Sequence, residues 1–200
     1  MTFDDAQLSD IALGFQNAIN VAFRDEIIIF DTFISPKKIN GIYLLATGQL
    51  HFKIKFYRYR CIDISEIFIN TECRRTGIAR RVVQTLFNEA RRVGISKILI
   101  SATRDAAFVW ARLGFKPTPE AWPAIYEVLQ TAIIASREHM NDEQYQLLSR
   151  LIEHNNPVLY PLIAQNQLLT NRTYLQPVGI GEMIINRIGA WNGELITNAD

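Results

Sequence analysis

Near the start of the chain apolar residues recur at helical spacing. Leu8, Ile11, Ala12, Phe15, Ala18, Ile19 and Ala22 fall on one side of a helix predicted from Leu8 to Phe23. Asp25-Glu26 ends that period, and the apolar runs Ile27 to Phe30 and Phe33-Ile34 predict a strand stopped by Ser35-Pro36-Lys37-Lys38. A hairpin follows, with one arm at Ile42 to Ala46, a turn at Thr47-Gly48, and a second arm at His51 to Arg60. In that second arm Phe52, Ile54 and Phe56 alternate with Lys53, Lys55 and Tyr57, which gives it one apolar and one polar face. Cys61 to Asn70, β-branched and aromatic, reads as a mostly buried strand.

A helix then begins near Gly77, because Ala79, Val82, Val83, Leu86, Phe87 and Ala90 return to helical spacing, and Gly94 stops it. Lys97 to Ala102 predicts the next strand and Asp105 to Arg112 a short helix, followed by Leu113-Gly114-Phe115. Beyond Pro117 and Pro119 the texture changes to three helices, over Ala121 to Arg137, Asp142 to Glu153 and Pro157 to Gln165. Ile188 to Ile196 then reads as a returning strand, which would make the helical block an insertion. No internal repeat or low-complexity segment interrupts this order.

The candidate chemistry lies at Arg74-Arg75-Thr76-Gly77-Ile78-Ala79-Arg80. A strand that turns directly into a helix leaves backbone N–H groups unpaired at the helix start, and with the helix dipole they favour an anion. Gly77 and Ala79 are small enough to let a bulky phosphate reach the backbone, and Gly77 also admits angles other residues avoid. Arg74, Arg75 and Arg80 bring positive charge to the same place. The spacing matches neither a triphosphate-binding loop nor a dinucleotide fingerprint. The competing structural reading is a plain strand-to-helix turn with solvated arginines.

The run Arg74-x-x-Gly77-x-Ala79 resembles the [QR]-x-x-G-x-[GA] acyl-CoA loop of the GCN5-related N-acetyltransferases (GNAT). The succession of strand, loop, helix, strand, short helix and Leu113-Gly114-Phe115 is similar to that family too. The outline of the resemblance covers about residues 1 to 118, and its specific motifs Glu66 to Phe115. It implies an α/β (α+β) fold with a central, mixed, mostly antiparallel twisted sheet flanked by helices. On that basis residues 1–118 form an acyl-CoA-binding core, 119–187 a helical extension or insertion, and 188–200 a final strand and tail.

The resemblance further implies acetyl transfer from acetyl-CoA to a primary amine, with the first helix walling the acceptor pocket. Main-chain groups of Ile67, Phe68 and Ile69 would pair with the pantetheine arm, and residues 74–80 would hold the diphosphate. Glu66 is the candidate base, on the expectation that Ile64 and Phe68 press against its carboxylate. The alternative is a solvated carboxylate, or one paired with a lysine of the neighbouring strand. The sequence departs from the family at two positions on the cofactor side. Trp110 stands where a proton-donating Tyr is common, and its indole is a donor that does not deliver a proton usefully. Thr103 stands where an Asn is frequent. A core role for Trp110 competes with a role in the site.

Composition narrows the partners. Among 200 residues, 21 basic and 20 acidic side chains nearly cancel, so nothing calls for nucleic acid or an anionic membrane. Cys61 and Cys73 make no disulfide framework or metal spacing, which fits a reducing cytoplasm, and His51, His139 and His154 show no ligand spacing. The acidic start predicts no signal peptide, and no run is long enough for a membrane span. Two function classes therefore stand: an N-acetyltransferase with an unread amine acceptor, in a chain that could also pair as a homodimer, and a non-catalytic CoA-binding or protein-interaction module on the same fold. A nucleic-acid reading rests on the Arg cluster alone.

Overall fold

The computed structural model describes residues 2–46, 48–70, 76–103, 106–165 and 179–197. The chain divides into two compact units, Met1–Ile100 with Ile196–Asp200, and Ser101–Leu195. Its class is mixed α/β, with mostly antiparallel strands, as expected.

In the first unit, helix α1 spans Asp5–Ala22. It starts three residues before its apolar stripe because Asp4 caps it: the Asp4 carboxylate accepts the Gln7 N–H at 2.8 Å, and the Gln7 side chain accepts the Asp4 N–H at 2.9 Å. Strands β1 (Ile27–Ser35), β2 (Lys38–Leu45), β3 (Gly48–Tyr57) and β4 (Cys61–Ile69) pair antiparallel in sequence order. Helix α2 (Ile78–Arg92) then carries the chain to β5 (Lys97–Ala102), which pairs with β4 in parallel.

The alternation read in β3 is present: Leu50, Phe52, Ile54 and Phe56 are buried, while Lys55 and Tyr57 are exposed. On this inner face Phe15 of α1 meets Phe56 edge-on, and Phe30, Tyr43 and Phe52 stack across three strands. Gly41 lies opposite Phe52 in the register, and the absent side chain there is what lets the Phe52 ring lie over toward Tyr43. Gly14 does the same for α1 and α2. A Cβ there would stand 2.5 Å from Glu89 Oε1, and Arg92 holds that buried carboxylate at 2.6 and 2.8 Å.

Tyr43 is fully buried and donates its hydroxyl to Asn20 Oδ1 at 2.6 Å. Burial pushes its phenol up to about 12. A raised acid in the folded state means that the unfolded chain loses its proton first. The stabilisation is therefore whole below pH ~10 and drains away as pH rises toward the folded value. Denaturant titrations are expected to show stability falling from pH 10 upward. Tyr43→Phe, which loses the Asn20 bond, should be less stable at neutral pH yet show a shallower alkaline decline.

The second unit contains α3 (Ala107–Arg112), β6 (Lys116–Pro117), α4 (Trp122–Ala135), α5 (Asp142–Glu153), α6 (Leu159–Gln165), α7 (Ile180–Ile188) and β7 (Trp191–Ile196). Strands β6 and β7 pair antiparallel, Lys116 opposite Glu194, with their side chains 3.5 Å apart. Helices α4 to α7 thus lie in sequence between two paired strands. Helix α7 differs from the sequence reading, which began a strand at Ile188. Ile180, Ile184 and Ile185 form one buried helical stripe, and the strand begins only at Trp191. Helix α4 ends at Ala135 rather than Arg137, and a 3-10 turn follows at Arg137–His139. No described helix is long and apolar enough to cross a membrane.

Candidate active site

The α2 N-terminus is built as the sequence led one to expect. Gly77 is the N-cap, with φ +87° in the left-handed region where a side chain is strained. No side chain caps the helix, and its first turn holds no acidic residue. The first intrahelical bond runs from the Arg81 N–H to the Gly77 carbonyl at 3.0 Å. The amides of Ile78, Ala79 and Arg80 therefore precede the helical ladder and have no acceptor within it. Thr76 and Gly77 are exposed, and a Cβ placed on Gly77 would meet nothing within 4 Å. The approach to these donors is open.

A surface cavity of about 370 Å³ lies over this turn, lined by Thr76, Gly77, Arg80, Arg81, Gln84 and Thr85. Its two arginines differ. Arg81 is fixed by a two-pronged ion pair with Glu26, one arm at 2.9 Å, and its guanidinium lies 4.2 Å from the Phe23 ring centre. Arg80 is exposed and makes no ion pair among the described residues, so its charge can turn toward an anion. Arg81, Gln84 and Thr85 were not singled out from sequence. They follow Gly77 by four, seven and eight residues, the spacing of one helical face. Arg74 and Arg75 lie outside the described residues.

Strand β4 supplies the second feature. Lys53 pairs with Glu66 but Ile54 with Ile64, so Ser65 is an extra residue, a β-bulge. The parallel pairing of β4 with β5 stops at Ile64 and Ile100, whereas β4 continues to Ile69 paired to β3. Past the bulge, the main chain of Glu66 to Ile69 makes no ladder to β5.

The bulge also sets the face of Glu66. Ile64 lies opposite Ile54 on the inner face, while Glu66 lies opposite Lys53 on the outer one, beside Phe68 and His51. The apolar enclosure by Ile64 does not form, since the two residues face opposite ways. The Glu66 side chain is 53% exposed and bonded to Lys53 Nζ at 3.3 Å.

In the second unit the Thr103 carbonyl accepts the Ala106 N–H at 3.0 Å. Trp110 is 9% exposed and meets Phe115 edge-on at 5.2 Å, the packing of a core aromatic. The structure thus gathers Thr76, Gly77, Ile78, Ala79 and Arg80 at one helix end, and Glu66, Ile67, Phe68 and Ile69 on one strand past a bulge, within the first unit. No group of three or more metal-ligating side chains occurs among the described residues.

Residues 46–122 match the family model described as the acetyltransferase (GNAT) domain. Solved structures with partial likeness include nourseothricin acetyltransferase, at 18% identity over 43% of this chain and 55% of that one, TM-score 0.38. Tetrahymena GCN5 is 9% identical over 54% of this chain and 70% of that one, TM-score 0.36. A GNAT family N-acetyltransferase from Escherichia coli, solved in complex with CoA, is 10% identical over 60% and 67%, TM-score 0.33. The chain spans about half the length of nourseothricin acetyltransferase. No curated protein matches the sequence.

Proposed function

We propose that the protein binds acetyl-CoA and transfers its acetyl group to a primary amine by direct attack, the amine being a small molecule or a protein side chain. The observation that carries this reading is the α2 N-terminus, where a left-handed Gly77, unshared amides and an open approach occur together inside the GNAT-matching segment. In this reading the diphosphate accepts N–H bonds from Ile78, Ala79 and Arg80, with Arg80 adding charge. Each anion-to-helix-end contribution is only about 0.3–2 kcal/mol, so several donors must act together. Arg81, tied to Glu26, holds the helix start in place.

The unpaired β4 edge at Ile67, Phe68 and Ile69 suits an extended arm of alternating amide groups, which would add to it as a short strand. A β4 N–H directed at the thioester oxygen would stabilise the charge that develops there as the amine attacks. Glu66, exposed on the outer face, would accept the amine proton, with its bond to Lys53 orienting it. The acetyl carbon–sulfur bond then breaks as the carbon–nitrogen bond forms, and the CoA thiolate takes up a proton from solvent, since the Trp110 indole is not a proton donor of useful acidity.

Free-thiol release with a panel of amines tests this. Glu66→Gln is expected to lower kcat by roughly 10²-fold or more while acetyl-CoA binding stays unchanged. Unchanged turnover would remove Glu66 as base. The buried Trp110 and the Lys53-bound Glu66 favour a second reading, a CoA-binding module without catalysis. Calorimetry separates the two: binding of acetyl-CoA without turnover on any amine supports the module, and no binding leaves only a scaffold.

A further inference from the structure

Among the described residues, strand β1 is the outer edge of the first unit's sheet, hydrogen-bonded to β2 alone. Edges of this kind are normally blunted by Lys, Pro or inward charge. Ile27–Ser35 holds one charged residue, Asp31, and no Lys, Arg or Pro. Ile28, Ile29 and Phe33 are each 62% exposed and Phe30 50%.

The apolar surface continues inward. On the outer face Ile29 pairs with Leu44, and the row Ile42, His51, Phe68 runs beside it across β2 to β4. Ile42, Leu44 and Phe68 are 39–46% exposed. The unit's described helices, α1 and α2, pack on each other, and α1 sits against the inner face through Phe15 and Gln16. On the same outer face Asp31 stands opposite Ile42 and Asn40 opposite Phe33, so these apolar side chains are interrupted by polar ones and the exposed apolar surface is densest on β1 itself. A strand added to β1 would cover Ile28, Ile29, Phe30, Phe33 and the open backbone edge, roughly 500 Å² on each copy, about the 1,000 Å² total that a specific interface needs.

We propose that the chain forms a two-fold homodimer by antiparallel pairing of the β1 edges of two copies. Charge selects a second copy in that orientation. Asp25 precedes the strand and Lys37 follows it, and both are exposed. Antiparallel pairing sets Asp25 of one copy near Lys37 of the other, twice over, whereas parallel pairing would align like charges. A register centred on Phe30 sets each Asp31 opposite Ile29 and each Asp25 opposite Ser35, with Lys37 its diagonal neighbour two positions on, within reach of a long side chain. Pairing closes at two copies, because a two-fold contact uses the same β1 edge on both chains.

Sedimentation equilibrium of the full chain at micromolar concentration tests the proposal without any acetyl-CoA, so its failure is distinct from failure of the enzymatic reading. The expected mass is twice the 22.9 kDa of one chain. The double variant Ile29→Lys with Phe33→Lys should run as a folded monomer by circular dichroism. Since core-adjacent lysines can unfold a sheet, charge reversal gives an independent arm. Asp25→Lys and Lys37→Asp should each weaken the dimer about three- to tenfold, as exposed ion pairs do, and the two together should restore it. A wild-type monomer, an open-ended oligomer, a dimer indifferent to all four substitutions, or a combined variant that does not recover would each overturn the proposal.

Discussion

Gly77→Val is expected to abolish detectable CoA binding while leaving the protein folded. Two separate effects add. A β-branched residue at φ +87° costs about 1–2 kcal/mol or more of backbone strain, and that cost falls on the folded protein whether or not ligand is present. The second appears only with ligand. In the free protein the new Cβ meets nothing within 4 Å, so it displaces no neighbour, but it projects into the cavity a diphosphate would fill. The melting temperature should therefore fall by about 2–8 °C for a chain of this size. The affinity should fall by 10²-fold or more, since several N–H bonds to one anion are lost together. Gly77→Ala should sit between, with a similar melting shift and a smaller loss of binding. A variant that binds CoA as the parent does would show that the ligand lies elsewhere.

The largest expected effect on stability is at Gly181. It sits in the first turn of α7, where a Cβ would collide with the Ile163 carbonyl oxygen of α6 and stand 3.1 Å from the Ile163 carbonyl carbon and 3.2 Å from Ala164 Cα. These obstacles are backbone atoms, so no rotamer change relieves them. Ile163 and Ala164 are buried, as are Ile180, Ile184 and Ile185 on the facing helix. Gly181→Ala is accordingly expected to destabilise the second unit by about 3 kcal/mol, at the upper end of overpacking costs. Calorimetric unfolding would read this as a drop of several degrees, whereas alanine substitution at exposed Glu153 should change little.

The same residues show what a sequence discloses. Hydrophobic period located α1, α2, β3 and β5 because each buries a face against a neighbour, and burial is what the period records. The bulge in β4 is also written in the pattern. Ile62 and Ile64 hold one phase, Ile67 and Ile69 the other, and the slip falls at Ser65. That slip separates Glu66 from Ile64, so of the two neighbours expected from unbroken alternation only Phe68 shares the face of the carboxylate. Helix α7 is hard to read from sequence because it is nine residues long, rich in Ile, and carries in its first turn a glycine that lies against α6.

At the site, the turn and its glycine were legible because the backbone conformation demands that residue type. Arg81 was not. Its partner Glu26 lies 55 positions away and its role is fixed only by the fold that joins them. Trp110 was visible as a departure from the family pattern, but its burial against Phe115 required coordinates.

The claim on which the enzymatic reading depends is that the first amides of α2 grip the diphosphate of CoA. Backbone amide resonances followed by NMR during a CoA titration test it directly. The account predicts that the Gly77, Ile78, Ala79 and Arg80 amides shift downfield together, with slowed solvent exchange at a common midpoint. Saturable CoA binding that leaves those four resonances unmoved, or an absence of binding altogether, would contradict it.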